Sequence, residues 1–214
     1  MQTQADRIIT AALQIIDDGG AEALSMRSLA AHLDASTATI YRHFSNRAAL
    51  LAAVTDRVLG EIDVDAETLR TGTWRQGCHR IATQYFAALK RHRNVAPLLA
   101  DHIPAGLNSA EVREAWLSML LDKGFSLQLA ARSGAAIAHF VEGFGIQLAG
   151  QRAITGLDEA QFSGKVRHLD STKFPITVAA IHAGVIPVPL EDEFGFGLDL
   201  ILDGLGQLRE ADTP

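Results

Sequence analysis

Cysteine is almost missing from this sequence: one residue, Cys78, in 214. One thiol can neither close an intrachain disulfide nor build a thiolate metal site, so a reducing compartment is expected. Long apolar runs are missing too. The longest charge-free apolar stretch, Phe174 to Leu190, holds Pro175, Pro187 and Pro189, which break any spanning helix. Met1 to Arg7 has no apolar segment of the secretory type. The expectation is a soluble cytoplasmic protein with no membrane partner. Positive charge is not in excess. With 19 Lys+Arg against 25 Asp+Glu the formal charge is -6, so any contact with nucleic acid must come from a local surface. Repeats and low-complexity tracts are absent. So are G-x-S-x-G, G-x-x-x-x-G-K-[ST], H-E-x-x-H and a G-x-G-x-x-G after a strand, and no catalytic residue or cofactor is indicated. His79, His92, His102, His139, His168 and His182 lack metal-ligand spacing, and no metal is expected.

What is present is helical periodicity in a chain long enough for one or two domains. Ile9, Leu13 and Ile16 step along one face, with Thr3 and Asp6 as a capping box in front and Gly19-Gly20 as a stop behind. Ser25 caps a short helix with Met26, Leu29 and Leu33 inward. Asp34-Ala35 makes a tight turn. Ser36 caps a third helix carrying Ile40 and Phe44. Ser45-Asn46 caps a longer one with Leu51, Val54, Val58 and Ile62. Asp63 to Thr73 is polar and marks a boundary. Beyond it come Trp74, Cys78, Ile81, Tyr85 and Leu89. Pro97 and Pro104 interrupt. Asn108 with Glu111 reads as another capping box, opening a helix with Val112, Trp116, Met119 and Leu120 that stops at Gly124. Ser126 caps a long helix to about Ala149. Gln151 to Phe174 is irregular, expected to be mobile or partly helical. Pro175 suits a first helical turn. Phe194, Leu198, Ile201, Leu205 and Leu208 alternate by four and three, like a coiled-coil seam. No strand pattern is visible. The fold class is all-α: a helix-turn-helix unit over 1–46, a connecting helix over 47–63 and a larger helical domain over 64–214.

Short helix, tight turn, short helix is an arrangement suited to the major groove, which admits one helix and presents a distinct donor and acceptor pattern for each base pair. With Ile40 and Phe44 inward, the second helix presents Thr37, Ala38, Thr39, Tyr41 and His43 outward: hydroxyls, a methyl group and two hydrogen-bonding rings. Arg27 stands on the first turn of the preceding helix. Arg42 and Arg47 are the only charges between Ala35 and Thr55. Sequence-specific DNA binding is one reading. An all-α enzyme and a helical interaction module are the alternatives.

The stretches S-M-R-S-L-A-A-H-L (25–33) and S-T-A-T-I-Y-R-H-F-S-N-R-A-A-L-L (36–51) resemble the tetracycline-repressor family. H-R-N-V-A-P-L-L (92–99), D-K-G-F-S-L (122–127) and F-G-F-G-L-D-L-I-L-D-G-L (194–205) are similar to its regulatory domain. The resemblance implies a transcriptional repressor released from a palindromic operator by a small-molecule effector. It implies DNA contacts at Arg27, Thr37, Ala38, Thr39, Tyr41 and His43, and phosphate approaches at Met26 and Arg47. With Ser36 and Arg42 these complete the expected DNA-binding set. Met26 lacks the hydroxyl often found there, and Asp34 replaces a turn glycine.

The resemblance also implies a homodimer. Glycine-bearing stripes at Ile137, Val141, Phe144 and Leu148, and at Phe194, Leu198, Ile201 and Leu205, are the expected four-helix interface. For the effector, Trp74, Tyr85, Phe86, Leu99, His102, Ile103, Trp116, Phe140 and Phe144 are the candidate lining. Leu99 and Asp63 stand where tetracycline-binding members are expected to have histidines, and both departures argue against tetracycline itself.

Overall fold

The computed structural model describes residues 3–100, 104–153, 169–186 and 188–212. Among them there are helices and no strand. Helix α1 (Gln4–Gly19) opens on the expected box. The Thr3 hydroxyl accepts from the Asp6 amide at 3.1 Å, and the Asp6 carboxylate accepts from the Thr3 amide at 2.9 Å. One 3-10 turn (Ala21–Ala23) leads to α2 (Met26–His32), where Ser25 and Ser28 exchange the same pair of bonds. Ser36 caps α3 (Thr37–Tyr41), and Asn46 caps α4 (Arg47–Leu59) by accepting from the Ala49 amide at 2.8 Å. Then follow α5 (Ala66–Thr71), α6 (Trp74–Arg91), α7 (Ala96–Leu99), α8 (Leu107–Asp122), α9 (Leu127–Ala153), α10 (Pro175–His182) and α11 (Leu190–Asp212).

Two inward stripes are buried as periodicity puts them, at Leu13 and Ile16 and at Val54, Val58 and Ile62, but each begins one residue earlier than expected. Ile8 and Leu50 are fully buried, while Ile9 and Leu51 only flank the core. Each is one of an apolar pair, and the 3.6-residue period fits either member; contact between α1 and α4 selects one. Cys78, Ile81, Tyr85 and Leu89 of α6 are buried as expected. Burial pushes the Cys78 thiol up to about 12, so it packs as a small hydrophobe and not as a nucleophile.

The last helix corrects the sequence reading. Its buried stripe is Phe194, Leu198, Leu202 and Leu205, whereas Leu208 is 57% exposed. That is the stripe of one helix lying on its own domain, not a seam. Ile137, Val141 and Leu148 of α9 are buried inside the same chain. The six residues Ile137, Val141, Leu148, Phe194, Leu198 and Leu205 are therefore intrachain core; Phe144 and Ile201 are half-buried against it. The glycines divide likewise. A Cβ at Gly134, Gly145 or Gly197 would sit within 3 Å of Trp116, Leu89 or Phe140, so these glycines permit close internal packing. Gly143 and Gly204 face open space.

The cap of α8 is a second correction. Asn108 is not its cap residue and Glu111 does not close a box. The helix starts after Gly106, which has no side chain to offer, and its amides at Asn108 and Ser109 donate to the Asp56 carboxylate of α4 at 3.2 and 2.9 Å. A partner from a distant helix leaves no local spacing in the sequence.

Other polar contacts join the first helices to the rest. Asn94 Nδ2 donates to the carbonyls of Ile16 and Asp17 at 2.8 and 3.1 Å, meeting the open C-terminal end of α1. His92 stands between Asp17 (2.8 Å) and Glu61 (3.0 Å), and Arg91 Nε donates to Glu61 at 2.9 Å. Burial raises the Glu61 carboxyl, but the bonds from Arg91 and His92 outweigh it and hold the group below the usual carboxylate range. Its contribution to stability is therefore present at neutral pH and lost as the pH falls through the acid range.

Asp34 carries the turn between α2 and α3 at φ 48°, and the Ala35 amide reaches back to the Ala30 carbonyl at 2.9 Å. This is the left-handed position that glycine fills without strain. Asp34→Gly should raise the denaturant midpoint, and Asp34→Val should lower unfolding free energy by about 1–2 kcal/mol, both read by chemical denaturation.

Candidate nucleic-acid interface

The outward side of α3 is free. Ser36, Thr37, Ala38, Arg42 and His43 are exposed, Tyr41 is 53% exposed and Thr39 is half-buried. Underneath, Ile40 is 0% exposed and packs with Leu29 of α2 and Leu50 of α4 in one core. The polar groups are ordered before any partner arrives. Ser36 Oγ and Thr39 Oγ1 lie 3.0 Å apart, and Arg42 Nη2 donates to Thr39 Oγ1 at 3.3 Å. Arg27, exposed on α2, adds a second cation. Hydroxyls, a phenol, an imidazole and two guanidiniums on one convex edge match the donor and acceptor pattern of base edges and the charge of phosphates.

Two of the expected residues make contacts inside the chain. Met26 is buried in the core, because the inward face of α2 begins at its first residue; its side chain reaches no phosphate. Arg47 is half-buried. Its Nε donates to the Leu24 carbonyl at 2.8 Å and its Nη2 to the Ala21 carbonyl. The arginine thus ties the segment between α1 and α2 to the start of α4. Sequence spacing carries no sign of this contact, because the Leu24 carbonyl lies 23 residues away.

The candidate effector residues fall into separate groups. Phe86, Phe140 and Phe144 come together around Phe194, whose ring stacks on Phe86 at 4.2 Å and lies 5.4 and 5.5 Å from the other two. Beside them the Tyr85 hydroxyl donates to the Glu142 carboxylate at 2.8 Å. Burial pushes both groups up, with the Glu142 charge adding to the effect on Tyr85. Leu99 is buried on α7. Trp74 pairs with Phe125 instead, and the Trp116 indole donates to the Ala130 carbonyl at 3.0 Å. Both tryptophans are packing groups apart from the phenylalanine cluster. His102 and Ile103 lie outside the described residues. Sequence reading missed Glu142, whose signal was a lone acid on an otherwise apolar stretch of α9. Asp63 is exposed and paired with Arg80. No cluster of three metal-ligating side chains occurs among the described residues. None of the described helices is long and apolar enough to cross a membrane.

A second exposed feature runs along α9 and α11. Phe196, Leu200 and Leu208 are 69, 56 and 57% exposed, and Gly204 completes the four-residue step between them. Leu200, Gly204 and Leu208 face Leu129, Arg132 and Ala136 across a groove of about 760 Å³.

Comparison with known proteins finds relatives along most of the chain. Residues 8–54 match the family model of bacterial regulatory proteins of the tetR family, and residues 68–209 match the tetracyclin repressor-like C-terminal domain. The HTH-type transcriptional repressor DrrR1 of Streptomyces coeruleorubidus is 32% identical over 208 residues, spanning 94% of this chain and 76% of that one. The class A tetracycline repressor from transposon 1721 in Escherichia coli is 30% identical over 206 residues, 96% of this chain and 92% of the relative. Among solved structures, ActR of Streptomyces coelicolor in complex with actinorhodin superposes with a TM-score of 0.84 at 31% identity, over 98% of this chain and 99% of that one.

Arg47→Ala should lower unfolding free energy by about 1–3 kcal/mol, because two carbonyls lose their donor, and Arg47→Lys should restore only part of it. Thermal melts of the three proteins decide this. A variant as stable as the parent would return Arg47 to the DNA-facing set.

Proposed function

The chain belongs to the tetracycline-repressor family of bacterial transcriptional regulators, and we propose that it is a cytoplasmic, ligand-responsive repressor that holds a palindromic operator as a homodimer and leaves it when a small molecule binds. The observation that carries this reading is the outward side of α3: every side chain from Ser36 to His43 except Ile40 is open to a partner or only half covered. The parts divide as 1–46 for reading, 47–63 for connection and 64–214 for the effector and the second copy. Tyr41, His43, Thr37, Thr39, Ala38 and Ser36 meet base edges and the sugar-phosphate edge of the major groove, while Arg27 and Arg42 supply the positive charge. Two copies related by a two-fold axis read half-sites one helical turn, or a multiple of it, apart.

The face for the second copy is the outward one. Leu200, Gly204 and Leu208 of α11 share their groove with Leu129 and Ala136 of α9, and Phe196 of α11 and Gly143 and Ile146 of α9 are exposed. An apolar stripe with glycine gaps on two adjacent helices is what two copies need to form a four-helix contact. For the effector, the Phe86, Phe140 and Phe144 rings with Tyr85 and Glu142 support a largely apolar molecule held by few polar groups. Leu99 has no donor atom for a metal and Asp63 is held by Arg80. A drug carried by a histidine-bound magnesium therefore finds no histidine at either position.

Selection from random duplexes should recover a palindrome, and Tyr41→Ala should weaken binding to it at least tenfold in a gel shift at fixed salt with an unchanged melting temperature. Undiminished affinity would remove α3 from the interface. Leu200→Asp should give folded monomers by light scattering, whereas Leu198→Asp, at a fully buried site, should not fold. A Leu200→Asp dimer would place the contact elsewhere.

A further inference from the structure

Helix α8 has no cap of its own. Its N-cap residue, Gly106, makes no side-chain bond, and an uncapped α-helix leaves its first amides without acceptors. The acceptor comes from another part of the molecule. The Asp56 carboxylate, on the last turn of α4, accepts from the Asn108 amide (3.2 Å), the Asn108 Nδ2 (3.0 Å) and the Ser109 amide (2.9 Å). Both carboxylate oxygens are used: Oδ2 takes Asn108 and Oδ1 takes Ser109. A charged acceptor on backbone donors at the positive end of a helix is among the stronger polar contacts a protein makes.

Two glycines keep the joint open, one from each side. A Cβ on Gly106 would lie 2.1 Å from the Asp56 carboxyl carbon, and one on Gly60 would lie 2.7 Å from Asn108 Oδ1. Both distances are far inside van der Waals contact, so neither position admits even alanine without movement. Asp56 and Asn108 are half-buried and Ser109 is buried, which limits competition from water. The buried apolar residues of α4, Leu50, Val54 and Val58, join a continuous core held by an attraction that has no preferred direction. Three hydrogen bonds to one carboxylate are directional, because they weaken steeply with angle.

We propose that Asp56 is the strut that sets the orientation of the reading head relative to the effector domain, and so sets operator affinity. This rests on the function proposed above for its second half only. Asp56 is a positioning residue: it acts by holding α4, on which α1 is packed with α2 and α3 behind it, at a fixed angle to α8.

The strut is tested inside one chain. Nitroxides at Ala31→Cys on α2 and Glu114→Cys on α8, both exposed sites, report the distance between head and body. Cys78 is buried and stays unlabelled. Labelled protein is diluted into unlabelled protein so that only distances within a chain are read. The parent should give one narrow distribution. Asp56→Ala should broaden or shift it, Asp56→Asn, which keeps one acceptor oxygen, should fall between, and Gly106→Ala should disturb it from the other side should Asp56→Ala not fold. On the duplex selected by the parent protein, Asp56→Ala should bind at least tenfold more weakly. If the distributions of all three folded variants superimpose on the parent, the strut is refuted, even if melting temperatures fall, because loss of a helix cap alone lowers stability without moving the head. A parent that selects no duplex at all would sink the repressor reading while leaving the distance result to decide the strut.

Discussion

Burial of Ile40 is the contact on which the rest depends. A helix of five residues has no stability by itself, since nucleating one turn fixes more dihedrals than its few hydrogen bonds offset. α3 exists because Ile40 is driven into the core shared with Leu29 and Leu50, while Ser36 ties down its first turn. That anchoring fixes which way the remaining side chains point. Thr37, Ala38, Tyr41 and His43 are outward as a geometric consequence of Ile40 being inward. Met26 and Arg47 serve the same end from beneath and from the side.

The larger domain solves a different problem: two helices must be apolar on two faces. α9 buries one stripe against α6, α7 and α8, α11 buries one against α9 and α6, and each leaves another uncovered. Leu198 and Leu202 are fully buried while Leu200 between them is 56% exposed, so one helix fills the intrachain core and leaves an apolar outer face open. The glycines follow the same division, with Gly197 against the Phe140 ring and Gly204 outward. An inner face that is already full gives the outer face a rigid backing, which is what a geometry-sensitive pairing of two reading heads requires.

How much of this was legible follows from where each signal lies. Thr3 with Asp6, Ser25, Ser36, Asn46 and the Asp34 turn are local, acting over three or four residues, and their sequence positions specify them. The all-α class and the exposed side of α3 follow from period alone. Arg47, the α8 cap and the Glu142–Tyr85 pair are contacts between distant helices, and no spacing encodes them. The dimer stripe failed for a subtler reason. With Phe194, Phe196, Leu198, Leu200, Ile201, Leu202, Leu205 and Leu208 on one helix, a four-three alternation can be drawn through either face, and only packing against Phe86 and Phe140 decides that Phe194 is inside.

The account stands or falls on α3 lying in the major groove in two symmetric copies. Methylation protection of guanine N7, an atom exposed only in that groove, reads this directly on a duplex carrying the selected site. The account predicts two protected patches related by a dyad and separated by a whole number of helical turns. A single patch, or binding that leaves every N7 reactive, would contradict it.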